Sequence, residues 1–283
     1  MKVLVTGANG QLGYDVVTNL KENNKDNIEC LGIDIEDVDI TNEQNIKSFI
    51  INFKPDIIVH CAAYTAVDKA EEEKELCHKV NVLGTRHIAE ACQEIGAKMV
   101  YISTDYVFGG NGDTPFETSD IPNPINYYGK TKYEGELEIQ KLLNKFFIVR
   151  ISWVFGKNGN NFVKTMLRLG KERNEISVVS DQIGSPTYTY ELANFLIQLF
   201  QTDRYGIYHM TNEGFCSWNE FACEIFRLKN MKVKVNPIAS EEYFTKADRP
   251  KNSRLSKKTA LSNGFAQLSH WKTAVFDFLS KLD

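Results

Sequence analysis

The chain has 283 residues, 42% hydrophobic and 25% charged, the make-up of an ordinary globular protein with length enough to bury a large core. Its 33 basic and 37 acidic residues leave a net charge of -4, so no polybasic field points to nucleic acid or an anionic membrane surface, and neither partner is expected. The absence of a charged leader, a cleavable apolar segment or a long hydrophobic span predicts a cytoplasmic protein. The six cysteines (Cys30, Cys61, Cys77, Cys92, Cys216, Cys223) contain no Cys-x-x-Cys pair, and no two of the five histidines lie three to five apart. Reduced structural thiols and no protein-built metal site of the zinc kind are therefore expected.

Apolar runs of about five residues, at 2–6, 29–34, 56–61, 97–103 and 147–152, read as strands buried on both faces. Helix-like segments near 11–23, 43–53, 73–95 and 127–143 alternate with them. This alternation predicts an α/β fold, a Rossmann-type doubly wound parallel sheet. Beyond Trp153 the elements become shorter and more mixed: a Gly/Asn-rich turn at 156–161, a helix near 161–173, a strand at 176–179, a helix over 189–201, a strand at 207–210, and helices near 217–228 and 271–282.

The first strand runs into Gly7-Ala-Asn-Gly10-Gln11-Leu12-Gly13. Glycines at this spacing, between a strand and a helix, give the sharp bend, the close backbone approach and the tight helix packing that a pyrophosphate site needs. Asp34 ends the second strand, 21 residues beyond Gly13, where a carboxylate can accept from the adenine ribose hydroxyls. It repels the extra phosphate of NADP(H); Lys25 is the only nearby cation before it. NADH is thus favoured, with an exposed turn aspartate as the plainer reading of Asp34. Asp39 and Ile40 are candidate adenine contacts. The small-residue turn Ala62-Ala63-Tyr64-Thr65 is a candidate for the approach of the nicotinamide ribose, or for simple packing. On these grounds residues 1–155 form a dinucleotide-binding domain, rejoined by about 187–212, with a smaller substrate-binding part over 156–186 and 213–283.

Of the 12 tyrosines, Tyr128 alone has a lysine four residues on, Lys132. Residues so spaced share a helical face, where an ammonium favours the ionised phenol. A free phenol has a pKa of about 10, too high for easy proton exchange near neutrality. Thr104, in Ser103-Thr104-Asp105-Tyr106 after the fourth strand, adds a hydroxyl. Thr104 is expected to hydrogen-bond a carbonyl, Tyr128 to deliver a proton to its oxygen, and Lys132 to hold a ribose and tune the phenol.

The glycine turn, the Ser/Thr and the Tyr-x-x-x-Lys occur in the order that marks the extended short-chain dehydrogenase/reductase family, which the chain resembles. Within it the segments Ala63–Glu71, Ser103–Phe108, Asn126–Lys132, Ser152–Phe155, Gly159–Arg168, Asp181–Thr187 and Arg249–Leu255 look like the dTDP-4-dehydrorhamnose reductases. The resemblance implies reduction of the 4-keto group of dTDP-4-dehydro-L-rhamnose by NADH or NADPH, with Tyr128 protonating the developing alkoxide. It also implies contacts to the dTDP-sugar from Thr104, Asp105 and Trp153, a diphosphate near Arg249 and Arg254, and weaker roles for Lys164 and Arg168. Plainer readings make Trp153 a core aromatic and Arg249 a loop charge. Some relatives dimerise around magnesium held by acidic residues near the C-terminus; residues 276–283 carry no obvious acidic pair, which leaves magnesium, and the choice between monomer and homodimer, open. Two other readings share the fold: a sugar-nucleotide epimerase or dehydratase, and a non-catalytic subunit resembling the regulatory subunit of methionine adenosyltransferase.

Overall fold

The structure is a computed structural model that describes residues 1–22 and 28–282; Lys25 and Asp283 lie outside the described residues. The first half alternates as its hydrophobic pattern predicts: β1 (Lys2–Thr6), α1 (Gln11–Glu22), β2 (Glu29–Ile33), α2 (Glu43–Phe53), β3 (Ile57–His60), α3 (Val67–Ala70), α4 (Lys74–His78), α5 (Thr85–Ile95), β4 (Lys98–Thr104), α6 (Tyr127–Leu142) and β5 (Phe146–Ile151). The single helix expected over 73–95 is interrupted by a π-helical stretch, Lys79–Gly84, between α4 and α5. Such wide turns arise where side chains need the backbone to bulge, often at functional sites.

The second half adds β6 (Val154–Phe155), α7 (Phe162–Glu172), β7 (Glu175–Val179), β8 (Ile183–Gly184), β9 (Thr187–Tyr188), α8 (Thr189–Phe200), β10 (Gly206–His209), β11 (Cys216–Ser217), α9 (Trp218–Leu228), β12 (Lys234–Ile238), β13 (Asn252–Ser253), α10 (Lys258–Ser262) and α11 (Trp271–Ser280). Several of these strands have two residues, too short for any period to announce them in the sequence. β12 contains Pro237, which weakens a strand signal.

The main sheet has the order β10-β5-β4-β3-β1-β2, and every pairing in it is parallel. Alternate side chains of its strands point to opposite faces. Val3, Val5, Val59 and Val149 pack with Val16 and Leu20 of α1 and with Leu196 and Phe200 of α8. Leu4, Ile58, Met99 and Ile148 pack with Ile46 and Ile50 of α2, Ile88 of α5 and Ile139 of α6. Burying each such side chain is worth about 1.5–3 kcal/mol. Helices on both faces make the sheet doubly wound, and they leave the C-terminal strand ends, where β1, β3 and β4 stop, as a rim. A second core, with Phe155, Met166, Tyr188, Phe221, Ile225 and Phe278, joins α7, α9 and α11. Among the described residues no helix is long and apolar enough to cross a membrane.

Candidate active site

Strand order reverses between β1 and β3, the place where open α/β sheets leave a crevice beyond their carboxyl ends. A cleft of about 780 Å³ lies there, of a size suited to a small-molecule ligand. The glycine turn forms one wall. Gly7 has φ +67°, and a Cβ on it would sit 2.6 Å from the Ala62 amide nitrogen. A Cβ on Gly13 would collide with the Gly7 carbonyl. Close backbone approach therefore requires both glycines, and together with Gly10, Gln11 and Leu12 they put the start of α1 against the cleft. A bare backbone cradle at a helix N-terminus suits a pyrophosphate, so these residues fit a dinucleotide.

Asp34, Asp39 and Ile40 line the cleft further along. The Asp34 carboxylate accepts from the Asn9 amide through Oδ2 and from the Ile35 amide through Oδ1, both at 2.8 Å, tying the end of β2 to the glycine turn. Asp39 Oδ1 accepts from the Thr41 amide at 2.8 Å, and the Ile40 side chain packs on Gly84. Ala62, Ala63, Tyr64 and Thr65 follow β3 along the same wall. Their loop is held by Asn81, a buried residue of the π-helical stretch. Asn81 Oδ1 accepts from the Tyr64 amide at 2.8 Å, and its Nδ2 donates to the Tyr64 carbonyl at 3.2 Å and to Thr131 Oγ1 at 3.0 Å. Nothing in the spacing of the sequence singles out Asn81.

Thr104 ends β4, and Asn126 caps α6 by accepting from the Gly129 amide at 2.8 Å, so that Tyr128 stands in the first turn facing the strand end. Thr104, Asp105, Tyr128 and Lys132 all line the cleft. The Thr104 hydroxyl donates to Asp105 Oδ1 at 3.0 Å, while Asp105 Oδ2 is buried with no hydrogen-bond partner among the described residues. Burial pushes the Asp105 carboxyl up to about 6, against the pull of the Ser253 and Thr104 hydroxyls. The Tyr106 ring meets that of Tyr128 edge-on, 5.8 Å between centroids.

The expected tuning of the phenol takes a different form here. Burial above all, and then the Asp105 charge, hold Tyr128 well above the ordinary phenol value, with the Thr104 hydroxyl opposing them. The Lys132 ammonium lies 4.0 Å from the centroid of the Tyr101 ring. Its own pKa is pushed down to about 7 by burial, with Glu136, Cys61 and Cys77 drawing it back up. The cost of removing both groups from water outweighs a pairing between them.

Trp153 lines the cleft opposite, with a left-handed φ of 50° that a non-glycine residue adopts only when its surroundings hold it. Trp218, the first residue of α9, stacks on it with centroids 3.7 Å apart and 15° between planes, and also lines the cleft. Sequence reading overlooks Trp218, because no local pattern brings position 218 beside 153. Arg249 is not among the lining residues. Its guanidinium makes a two-point pair with Asp68, Nη1 to Oδ1 at 3.0 Å and Nη2 to Oδ2 at 2.7 Å. Arg254 donates to Asn252 Oδ1 at 3.0 Å and does not line the cleft either, so the two forks are engaged within the chain. Lys164 Nζ donates to the carbonyls of Lys157 and Gly159, and Arg168 pairs with Glu172. Among the described residues no cluster of three or more His, Cys, Asp or Glu could hold a metal ion.

A family model described as the RmlD substrate binding domain matches residues 1–283. The chain belongs to this family. The dTDP-4-dehydrorhamnose reductase of Aggregatibacter actinomycetemcomitans is 43% identical over 288 residues, covering 97% of each chain. The crystal structure of a dTDP-4-dehydrorhamnose reductase from Clostridium acetobutylicum has a TM-score of 0.97 and 43% identity, covering 100% of this chain and 99% of that one. The Bacillus anthracis dTDP-4-dehydrorhamnose reductase, solved in complex with NADP, has a TM-score of 0.95 and 48% identity over 99% of each chain. This RmlD-family chain thus shares with its relatives the whole of the fold, both cores included.

Proposed function

We propose that this chain is an NAD(P)H-dependent dTDP-4-dehydrorhamnose reductase, reducing the 4-keto group of dTDP-4-dehydro-L-rhamnose to dTDP-L-rhamnose in the cytoplasm. The observation that carries the reading is the meeting of Thr104, Tyr128 and Lys132 in the same cleft as the glycine turn. Full-length relatives bearing the reductase name support it. Residues 1–155, rejoined by 187–212, hold the cofactor, and 156–186 with 213–283 complete the substrate side. Gly7, Gly10, Gln11, Leu12 and Gly13 receive the pyrophosphate, Asp34, Asp39 and Ile40 the adenosine end, and Ala62 to Thr65 the nicotinamide ribose.

A reduced nicotinamide bound there supplies the hydride to C4. With substrate bound, the Thr104 hydroxyl turns from Asp105 to donate to the substrate carbonyl, which polarises it and fixes its distance from the phenol. Tyr128 gives up its phenolic proton to the oxygen as negative charge grows there, a task for which a phenol protonated at neutral pH is in the right state. Lys132 positions the ribose and supplies positive charge beside the phenolate that remains. Trp153 walls the sugar, and Asp105, with an unpartnered buried oxygen, accepts from a sugar hydroxyl. The test is the loss of reductant absorbance when dTDP-4-dehydro-L-rhamnose is added, run with NADH and with NADPH. Turnover with either supports the proposal; turnover with neither ends it, and NAD⁺ that stays bound through gel filtration instead would favour an epimerase or dehydratase.

A further inference from the structure

Ser103, Glu136, Arg150 and His209 form a buried polar chain that the chemistry above leaves unused. Glu136 is 0% and Arg150 2% exposed. Arg150 Nε donates to Glu136 Oε1 at 2.9 Å and Nη2 donates to Oε2 at 2.7 Å. Ser103 Oγ donates to the same Oε1 at 2.5 Å. Arg150 Nη1 lies 3.4 Å from His209 Nε2, and the guanidinium sits 5.1 Å over the Phe108 ring. Buried ion pairs repay their desolvation poorly, and apolar side chains of similar volume often serve stability as well or better. Stability alone therefore does not account for this one.

Its position does. Glu136 lies one helical turn beyond Lys132 on α6, on the same face. Ser103 immediately precedes Thr104 on β4, and Arg150 is its register partner on β5. His209 is the register partner of Arg150 on β10. We infer that the Glu136–Arg150 pair, with Ser103 as third member, is a positioning device for the reaction: it fixes α6 against β4 and β5 so that Tyr128 and Lys132 meet Thr104, and it sets a carboxylate one turn from the Lys132 ammonium. The inference rests on the roles proposed above for those three residues. Lys132 is faced by Glu136 and Tyr128 from its own helix, by Tyr101 from β4, by His60 of β3 and Cys61 just after it, and by Cys77 from α4. Among the groups that draw Lys132 toward its charged form, Glu136 comes first.

The test compares wild type, Glu136→Gln, the charge-free pair Glu136→Gln with Arg150→Met, and Ser103→Ala. Each is followed by circular dichroism and by kcat, KM and the pH profile of kcat. Loss of the carboxylate removes the main upward pull on Lys132, so the alkaline limb moves to lower pH. The expected result is a folded charge-free variant with kcat reduced about tenfold or more at nearly unchanged KM for both substrates, and, in Glu136→Gln where Arg150 stays charged, a limb displaced to lower pH. Ser103→Ala lowers kcat in the same sense and by less, which keeps the test open if both Glu136 variants fail to fold. Wild-type kcat in the charge-free variant, or in its absence wild-type kcat in Ser103→Ala, overturns the inference. A wild-type protein inactive on the sugar nucleotide instead overturns the reading on which it rests.

Discussion

On the side of the glycine turn the cleft is made by strand ends of one parallel sheet, with Gly7 and Ala62 just beyond, and Thr104 at the end of, strands whose neighbours hold them on both edges. On the side of Trp153 it is made by the turn between β5 and β6 and the first residue of α9, with Trp153 held in a left-handed conformation by the ring of Trp218 and the closeness of Gly184. The first side is rigid through backbone hydrogen bonding, the second through side-chain packing. Backbone geometry tolerates almost no substitution at its few special positions, whereas an aromatic stack loses its function in steps.

The largest effect that sharpens this contrast is expected where both sides meet the substrate. Tyr128→Phe removes the proposed proton donor and should lower kcat about 10²–10⁴-fold while NADH still binds, as measured by absorbance and nucleotide fluorescence. An unchanged rate would remove Tyr128 from the chemistry. Next comes Gly13→Ala, whose methyl meets the Gly7 carbonyl; overpacking of this kind costs about 1–3 kcal/mol, and NADH affinity should drop by about tenfold or more. If the nucleotide binds that variant as well as it binds wild type, the cradle is not its site. On the other side, Trp218→Leu should raise KM for the sugar nucleotide about two- to tenfold, by loss of a stack worth about 0.5–1.5 kcal/mol, and leave KM for NADH alone. Equal changes in both would erase the distinction between the two sides.

The smallest effect is on stability. His60, bonded to Thr6 Oγ1 at 2.7 Å under the glycine turn, and His209, on β10, are both pushed down to about 3 by burial. A depressed pKa means stability that is complete above the ordinary histidine value and is lost as pH falls toward 3. At pH 5 each contributes a loss of about 2 kcal/mol relative to pH 7. Asp105, raised to about 6, acts with the opposite sign, favouring the fold as pH drops through that value. Melting temperatures between pH 7 and 4 should therefore fall, and fall less in His60→Asn; a flat profile contradicts this account.

The parts of the site that local spacing dictates were readable from the chain. Glycines three apart between a strand and a helix, and a tyrosine and lysine one turn apart after the fourth strand, reach one cleft because the surrounding elements are regular. Trp218 against Trp153 and Arg249 against Asp68 were not readable, since each pairing joins stretches far apart in the chain that no local pattern connects. The π-helical stretch was hidden for another reason: its residues have a helical pattern, and the bonds that Asn81 makes there to Tyr64 and Thr131 span distant parts of the chain. The phenol's environment differed because spacing reports proximity and says nothing of how much water is excluded.

β10 comes late in the chain yet completes the main sheet beside β5, whose Phe147 and Val149 are fully buried. A fragment ending at residue 155 would carry β5 as a bare edge, a template for pairing with other copies. The main sheet is therefore complete only once residues 206–209 have been added, which ties the late part of the chain to the early one.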